Sequence, residues 1–114
     1  MGYDTASKTD PESVVPAEYG GMWFLKDELE SDHLGFSILE LEPGAKGKEH
    51  DETHTDQEEI YYVVSGTAEV ELTDRDETVT LEADELIRLD SAESRQIFNR
   101  GDDRAKLVLA GAPL

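Results

Sequence analysis

From Met22 onward, apolar and polar residues alternate in short runs divided by turn-forming residues. The alternation is cleanest in "TAEVELT" (67–73), where Ala68, Val70 and Leu72 fall on one face and Glu69, Glu71 and Thr73 on the other. That period of two is the mark of a half-buried strand. "TVTLEA" (78–83) repeats it, with Val79, Leu81 and Ala83 inward. The runs "MWFLKDEL" (22–29), "LGFSILELE" (34–42), "EIYYVVSG" (59–66), "ELIRLD" (85–90), "SRQIFN" (94–99) and "RAKLVLAG" (104–111) supply further strands. "EPGAKG" (42–47), "DRDE" (74–77) and "NRGDD" (99–103) separate them. No i, i+3, i+4, i+7 pattern lasts long enough for a helix, and no repeat is present. Short strands with a turn about every eight to twelve residues predict an all-β barrel or sandwich.

Two strands are apolar on both faces. Phe36 and Ile38 oppose Leu39 and Leu41, and Met22 and Phe24 oppose Trp23 and Leu25. A strand covered on both sides needs a second sheet or a partner subunit, so a homodimer through these strands is expected. Residues 1–13 are polar and aperiodic and are expected to form a flexible arm, with 14–114 as one domain.

Composition adds the solvent. Against 10 Lys and Arg stand 28 Asp and Glu, a net charge of −18 over 114 residues. Such a surface repels nucleic-acid phosphates and anionic lipid, which argues against both as partners. It also suits concentrated salt, where screening shortens to ~3 Å at 1 M, so a halophilic source is expected. Unfolding at low salt is the consequence to look for. Cysteine is absent, which excludes disulfides and thiolate chemistry. No signal-like segment opens the sequence and no apolar run approaches the ~20 residues of a spanning helix, so a soluble, cytoplasmic protein is expected.

Candidate chemistry gathers in "EHDETHTDQEE" (49–59), with two histidines and six acidic residues. On an extended strand His50, Glu52 and His54 share parity, and a chain reversal at 55–58 would return Glu59 beside them. Two imidazoles and a carboxylate converging on one point suit one divalent transition metal (Fe, Mn, Ni or Zn), with positions left for water or substrate. The competing reading is an exposed acidic loop.

"PGAKGKEH" followed by "EEIYYVVSG" resembles the first motif of the cupins, which are β-barrels of two antiparallel sheets (a jelly roll or double-stranded β-helix). That motif runs glycine, five residues, His-x-His, a short gap, glutamate, six residues, glycine. Gly44 to His50 fits, as does Glu59 to Gly66. The segment between is about two residues longer than the motif. Counting forward puts the second ligand at Glu52, and counting back puts it at His54. "ADELIRLDSAESRQIFNRG" (83–101) lies where the second motif belongs, and Asn99 fits it. Ala83 replaces the leading glycine, the Pro-x-Gly turn is missing, and Arg95 stands where the fourth ligand is kept. The resemblance spans about residues 22–112.

It implies a small molecule bound in the barrel, with metal ligands drawn from His50, His54, Glu59 and Glu52, His50 and Glu59 foremost. A metal-dependent enzyme of dioxygenase or isomerase type, acting on a small anionic substrate, is one reading. Arg95 would then orient the substrate, and Tyr61 could donate a hydrogen bond. Because guanidinium cannot ligate a metal, the other reading is a metal-free binding or sensing module. Arg95 would there take over the metal's charge beside Glu59. A structural salt bridge is the plainer role for Arg95, as core packing is for Tyr61, Val63 and Ile97.

Overall fold

A computed structural model describes residues 2–114. Eight strands form among them: β1 (Gly20–Phe24), β2 (Gly35–Leu41), β3 (Glu58–Ser65), β4 (Ala68–Leu72), β5 (Glu77–Leu81), β6 (Leu86–Leu89), β7 (Arg95–Phe98) and β8 (Ala105–Ala112). They make a five-stranded sheet, β1-β2-β8-β3-β6, facing a three-stranded one, β5-β4-β7. Every pairing is antiparallel. No helix among the described residues is long and apolar enough to cross a membrane.

The predicted alternation carries into burial. Ala68, Val70 and Leu72 are buried, and Leu39, Leu41, Tyr61, Val63, Leu81, Leu89, Ile97, Leu107 and Leu109 join them in one core. Fully burying a side chain of this size contributes about 1.5–3 kcal/mol, so the space between the sheets is the main source of stability. Ala83 is a departure: it lies beyond β5 in an exposed turn.

The β3–β4 turn depends on Gly66, whose φ is +80°. A Cβ there would lie 2.8 Å from the Ala105 Cα and the Arg104 carbonyl oxygen. Only glycine fits so close an approach of two backbones.

β1 is shorter than its apolar run suggested. Strand structure ends at Phe24, and Lys26–Glu30 forms a turn in which the Leu29 N–H donates to the Leu25 carbonyl and the Ser31 N–H to the Lys26 carbonyl. Three charged residues in sequence, Lys26, Asp27 and Glu28, have no face to bury, so the chain leaves the sheet there.

The segment before β1 touches the barrel. Val14 N–H donates to the Met22 carbonyl at 2.9 Å and Met22 N–H to Ser13 Oγ at 3.0 Å, which covers the outer edge of β1. Lys8 Nζ lies 4.3 Å from the centroid of the Trp23 ring and 2.8 Å from the Glu40 carboxylate. Glu40 is buried because Lys8 and Arg104 both pair with it.

Residues 44–52 run beside β7 as an irregular ninth segment. Asn99 N–H donates to the Ala45 carbonyl and Gly47 N–H to the Ile97 carbonyl, while His50 and Arg95 exchange both backbone bonds at 2.9 Å. Between the bridges Lys46↔Phe98 and His50↔Arg95 the register slips by one residue. The slip sets His50 opposite Arg95, and both side chains turn toward the barrel interior.

Candidate functional site

Glu59 enters the interior from the start of β3, paired with Gly111 of β8 and Leu89 of β6. Its carboxylate meets groups from three other places in the chain. The Arg95 guanidinium donates through Nη2 to Glu59 Oε1 at 2.5 Å. The His50 Nε2 atom lies 3.9 Å from the same oxygen and 3.5 Å from Glu52 Oε2. Tyr61, two residues along β3 on the same face, donates to Glu59 Oε1 at 3.4 Å. His50, Glu52 and Glu59 each offer one ligand atom, all within 4.8 Å of one another.

Glu52 lies in the place that the longer intervening segment left open. Alternation stops at Glu52, because its carbonyl accepts the N–H groups of Thr55 at 3.1 Å and Asp56 at 2.8 Å. Asp56 adopts a φ of 57°, and the chain curls through 53–56. The two additional residues are absorbed by this turn. His54 falls inside it, exposed, outside the group of converging donors. The parity that joined His54 to His50 does not apply once the strand has ended.

The imidazole is oriented by its other nitrogen. His50 Nδ1 lies 3.0 Å from the Lys48 carbonyl oxygen. A carbonyl can only accept, so Nδ1 carries a proton. Nε2 faces the carboxylates, donating to them when the ring is protonated and offering a lone pair for ligation when it is neutral. Protein metal ligands are commonly fixed this way. Three convergent donors, one imidazole and two carboxylates, fit a borderline divalent ion such as Mn, Fe(II), Ni or Zn.

Arg95 and Tyr61 lie beneath the site. Arg95 has 0% relative exposure. Besides Glu59, its guanidinium bonds the Glu93 carbonyl at 2.7 Å and reaches the Asp90 carbonyl at 3.5 Å through Nη1, and its Nε has no partner. Tyr61 is 3% exposed. The expectation that these two contact a ligand meets a physical obstacle: the guanidinium is shielded from the cavity and acts on it through Glu59.

The charges shape one another. Burial by itself would push the Glu59 carboxyl up, but hydrogen bonds from His50 and Arg95 outweigh it and hold the group below its usual 4.5. The hydrogen bond with Glu59 raises His50 above its usual 6.5, against burial. Burial, with the Glu59 charge, pushes the Tyr61 hydroxyl up to about 12, so it stays a donor.

These opposite shifts fix a pH dependence for metal-free protein. The lowered Glu59 contributes stability above its unfolded value of 4.5 and loses it as pH falls through the lower folded value. The raised His50 contributes stability below its unfolded 6.5 and loses it as pH rises through the higher folded value. Both contributions are complete only between 4.5 and 6.5. With chelator present, the urea midpoint should be higher at about pH 5.5 than at about pH 8.5. His50→Gln should flatten the alkaline side of that profile, and an unchanged slope would count against the His50–Glu59 contact.

A cavity of about 370 Å³ opens beside the cluster. His50, Glu52, Gln57 and Glu59 line one end, and Met22, Phe24, Phe36 and Leu109 much of the rest. Met22, Phe24 and Phe36, which from sequence suggested a subunit interface, here border a cavity. Gln57 and Lys26, also on its lining, carried no signal in the sequence, since both stand in runs of polar residues.

The cupin-domain family matches residues 37–111, more than half of the chain and including the whole cluster. This chain is a cupin. The two-sheet barrel accords with solved structures. A cupin protein from Bacteroides fragilis superposes with a TM-score of 0.79 at 23% identity, covering 99% of this chain and 86% of that one. A predicted oxalate decarboxylase from Thermotoga maritima gives 0.76 at 20% identity, covering 96% and 99%. The polyketide cyclase RemF from Streptomyces resistomycificus gives 0.76 at 16%, covering 96% and 78%. At these identities the likeness is one of fold. No curated protein matches this cupin at a significant level.

Proposed function

We propose that this cupin holds one divalent transition metal on His50, Glu52 and Glu59 and binds a small molecule in the adjoining cavity, as a metal-dependent enzyme of dioxygenase or isomerase type. One observation carries the reading: three donor atoms within 4.8 Å of one another, the imidazole nitrogen among them already oriented. A metal ion on three protein ligands supplies Lewis acidity at its open positions. The chain's own residues do the rest. Lys48 fixes the His50 tautomer, Arg95 and Tyr61 keep Glu59 charged and in place, and the apolar wall excludes water from one side of the ligand.

Arg95 also supports a second reading, a metal-free binding or sensing module. Its 2.5 Å contact with Glu59 already balances one of the two carboxylates. One experiment separates the two readings. Protein purified without an affinity tag and stripped with chelator is titrated calorimetrically with Mn(II), then Zn(II). The metal reading expects one site per chain, weakened about 10–100-fold or more in His50→Ala and unchanged in His54→Ala. Absence of any saturable site at neutral pH would leave the metal-free module.

The same reading places the protein in a salt-rich cytoplasm as a homodimer. The acid excess and the exposed Tyr19 and Leu34 near β1 and β2 support it. Light scattering at low and molar salt tests both, and a 12.7 kDa particle at every salt concentration would count against the dimer.

A further inference from the structure

We infer that the cavity ligand is a small hydroxycarboxylic acid with a ring-sized apolar body, its carboxylate met by Lys26 and its hydroxyl turned toward the His50–Glu52–Glu59 end. The inference deepens the proposed small-molecule site and takes from it that the cavity is where the ligand sits.

The room itself has a structural origin. Across the five-stranded sheet, Gly35 of β2, Gly111 of β8 and Glu59 of β3 stand side by side on one interior-facing row. Two of these three positions carry no side chain. A Cβ on Gly111 would lie 3.3 Å from Gln57 Oε1 and 3.4 Å from the Glu59 Cγ, and one on Gly35 3.3 Å from Leu114. Larger side chains there would fill the space in front of Glu59. The resulting volume, about 370 Å³, equals roughly a dozen water-sized volumes of ~30 Å³, which suits a single substituted ring.

Charge fixes how a ligand lies in it. The polar end presents two carboxylates, Glu52 and Glu59, and an anionic group placed there without a metal would be repelled. The same end accepts hydrogen bonds readily, from a hydroxyl above all. Lys26 is the cation on the cavity lining. It is free to act. All five arginines and Lys8 pair with carboxylates within 4.0 Å, whereas Lys26, like Lys46, Lys48 and Lys106, has no such partner among the described residues. Of these four it is the one on the cavity lining. In a chain with 28 acidic side chains, an unpaired lysine beside an apolar wall is well placed for an external anion. Its backbone is held by the turn after β1, where the Ser31 N–H donates to the Lys26 carbonyl at 2.9 Å. Arg95 cannot fill this role, because it is wholly buried and engaged with Glu59. Phe24, Phe36 and Leu109 supply the apolar wall for the ring.

The test uses 4-hydroxybenzoate, with phenol and 4-hydroxybenzylamine as the neutral and cationic counterparts. Each is titrated calorimetrically into wild type, Lys26→Met and Lys26→Arg, both stripped of metal and after Mn(II) loading. Lys26 is exposed, so the variants should fold, and their Mn(II) isotherms should match wild type. The expected result is saturable binding of 4-hydroxybenzoate, weakened about fivefold in Lys26→Met, as suits a partly solvated ion pair, and restored in Lys26→Arg. Phenol binding should be indifferent to both substitutions. No binding of 4-hydroxybenzoate to wild type, equal binding of the amine, or an unmoved affinity in Lys26→Met would each overturn the inference. The metal reading fails separately: a missing Mn(II) site with lysine-dependent hydroxybenzoate binding retained sinks that reading and leaves this one standing.

Discussion

Replacing Arg95 by methionine should lower the stability of metal-free protein by about 3–5 kcal/mol, the usual effect of removing one member of a buried ion pair. The guanidinium has 0% exposure and lies 2.5 Å from a carboxylate whose side chain is only 16% exposed. Methionine preserves much of the volume but leaves the partly buried Glu59 without its cation, and leaves the Glu93 carbonyl without its 2.7 Å donor. The remaining negative charge is then carried by Glu52 and Glu59 beside a single imidazole. A divalent cation on those groups would replace the lost positive charge. Mn(II) or Zn(II) should therefore raise the urea midpoint of Arg95→Met by more than it raises that of wild type. Denaturation curves of both proteins, with chelator and with metal, provide the check. A loss under about 1 kcal/mol with chelator would mean that the Arg95–Glu59 pair is not structural. Equal metal responses would mean that the guanidinium and the cation do not compete for the same carboxylate.

Asn99→Leu is the second substitution with a large expected effect, about 3 kcal/mol or more of lost stability. Asn99 is wholly buried and uses its entire amide. Its Nδ2 donates to the Leu41 carbonyl at 2.8 Å and to the Asp103 carbonyl at 2.9 Å, and its Oδ1 accepts the Gly101 N–H at 3.0 Å. One side chain thus ties β2, the end of β7 and the loop leading to β8. Leucine matches its size but leaves the buried Leu41 carbonyl without its donor, worth about 1–3 kcal/mol when unsatisfied, and removes the two bonds that hold the loop at Gly101 and Asp103. The urea midpoint should fall with an unchanged m-value, because the folded state stays compact. Asn99→Asp should lose at least as much, since its second carboxylate oxygen would face the Leu41 and Asp103 carbonyls with no donor between them. Equal stability of the leucine variant and wild type would show that the loop finds other partners.

Both residues were visible in the sequence as positions of a motif; the role of Asn99 was not, and that of Arg95 was one of several. Asn99 fitted the spacing of the second cupin motif, and two of its three bonds appear only when the end of β2 at Leu41 and the loop at Asp103 close on it. Arg95 was recognisable as a cation where a ligand is usual. Its neutralisation of Glu59 was one of the readings open then, and contact with a substrate was another. Burial separates them, and burial depends on the Asp90–Glu93 backbone folding over the guanidinium.

The sequence by itself determined the eight strands and most of their inward faces, because side-chain alternation on a strand is local and has a period of two, while the choice of a barrel came from the motif resemblance. It also determined that His50 and Glu59 belong to one region, since the spacing to Gly44 and Gly66 fixes where each strand begins. Tertiary structure decided the rest. The choice of Glu52 over His54 beside His50 depends on where the extended segment beside β7 stops, which is set by the Glu52 carbonyl capturing two later N–H groups. The cavity depends on Gly35 and Gly111 meeting side by side across β2 and β8, a juxtaposition of residues far apart in the chain. Lys26 lines that cavity from the turn that follows the early end of β1. Strand ends and cross-sheet neighbours are settled by which distant backbone group offers the better hydrogen bond, and no periodicity along the chain encodes that.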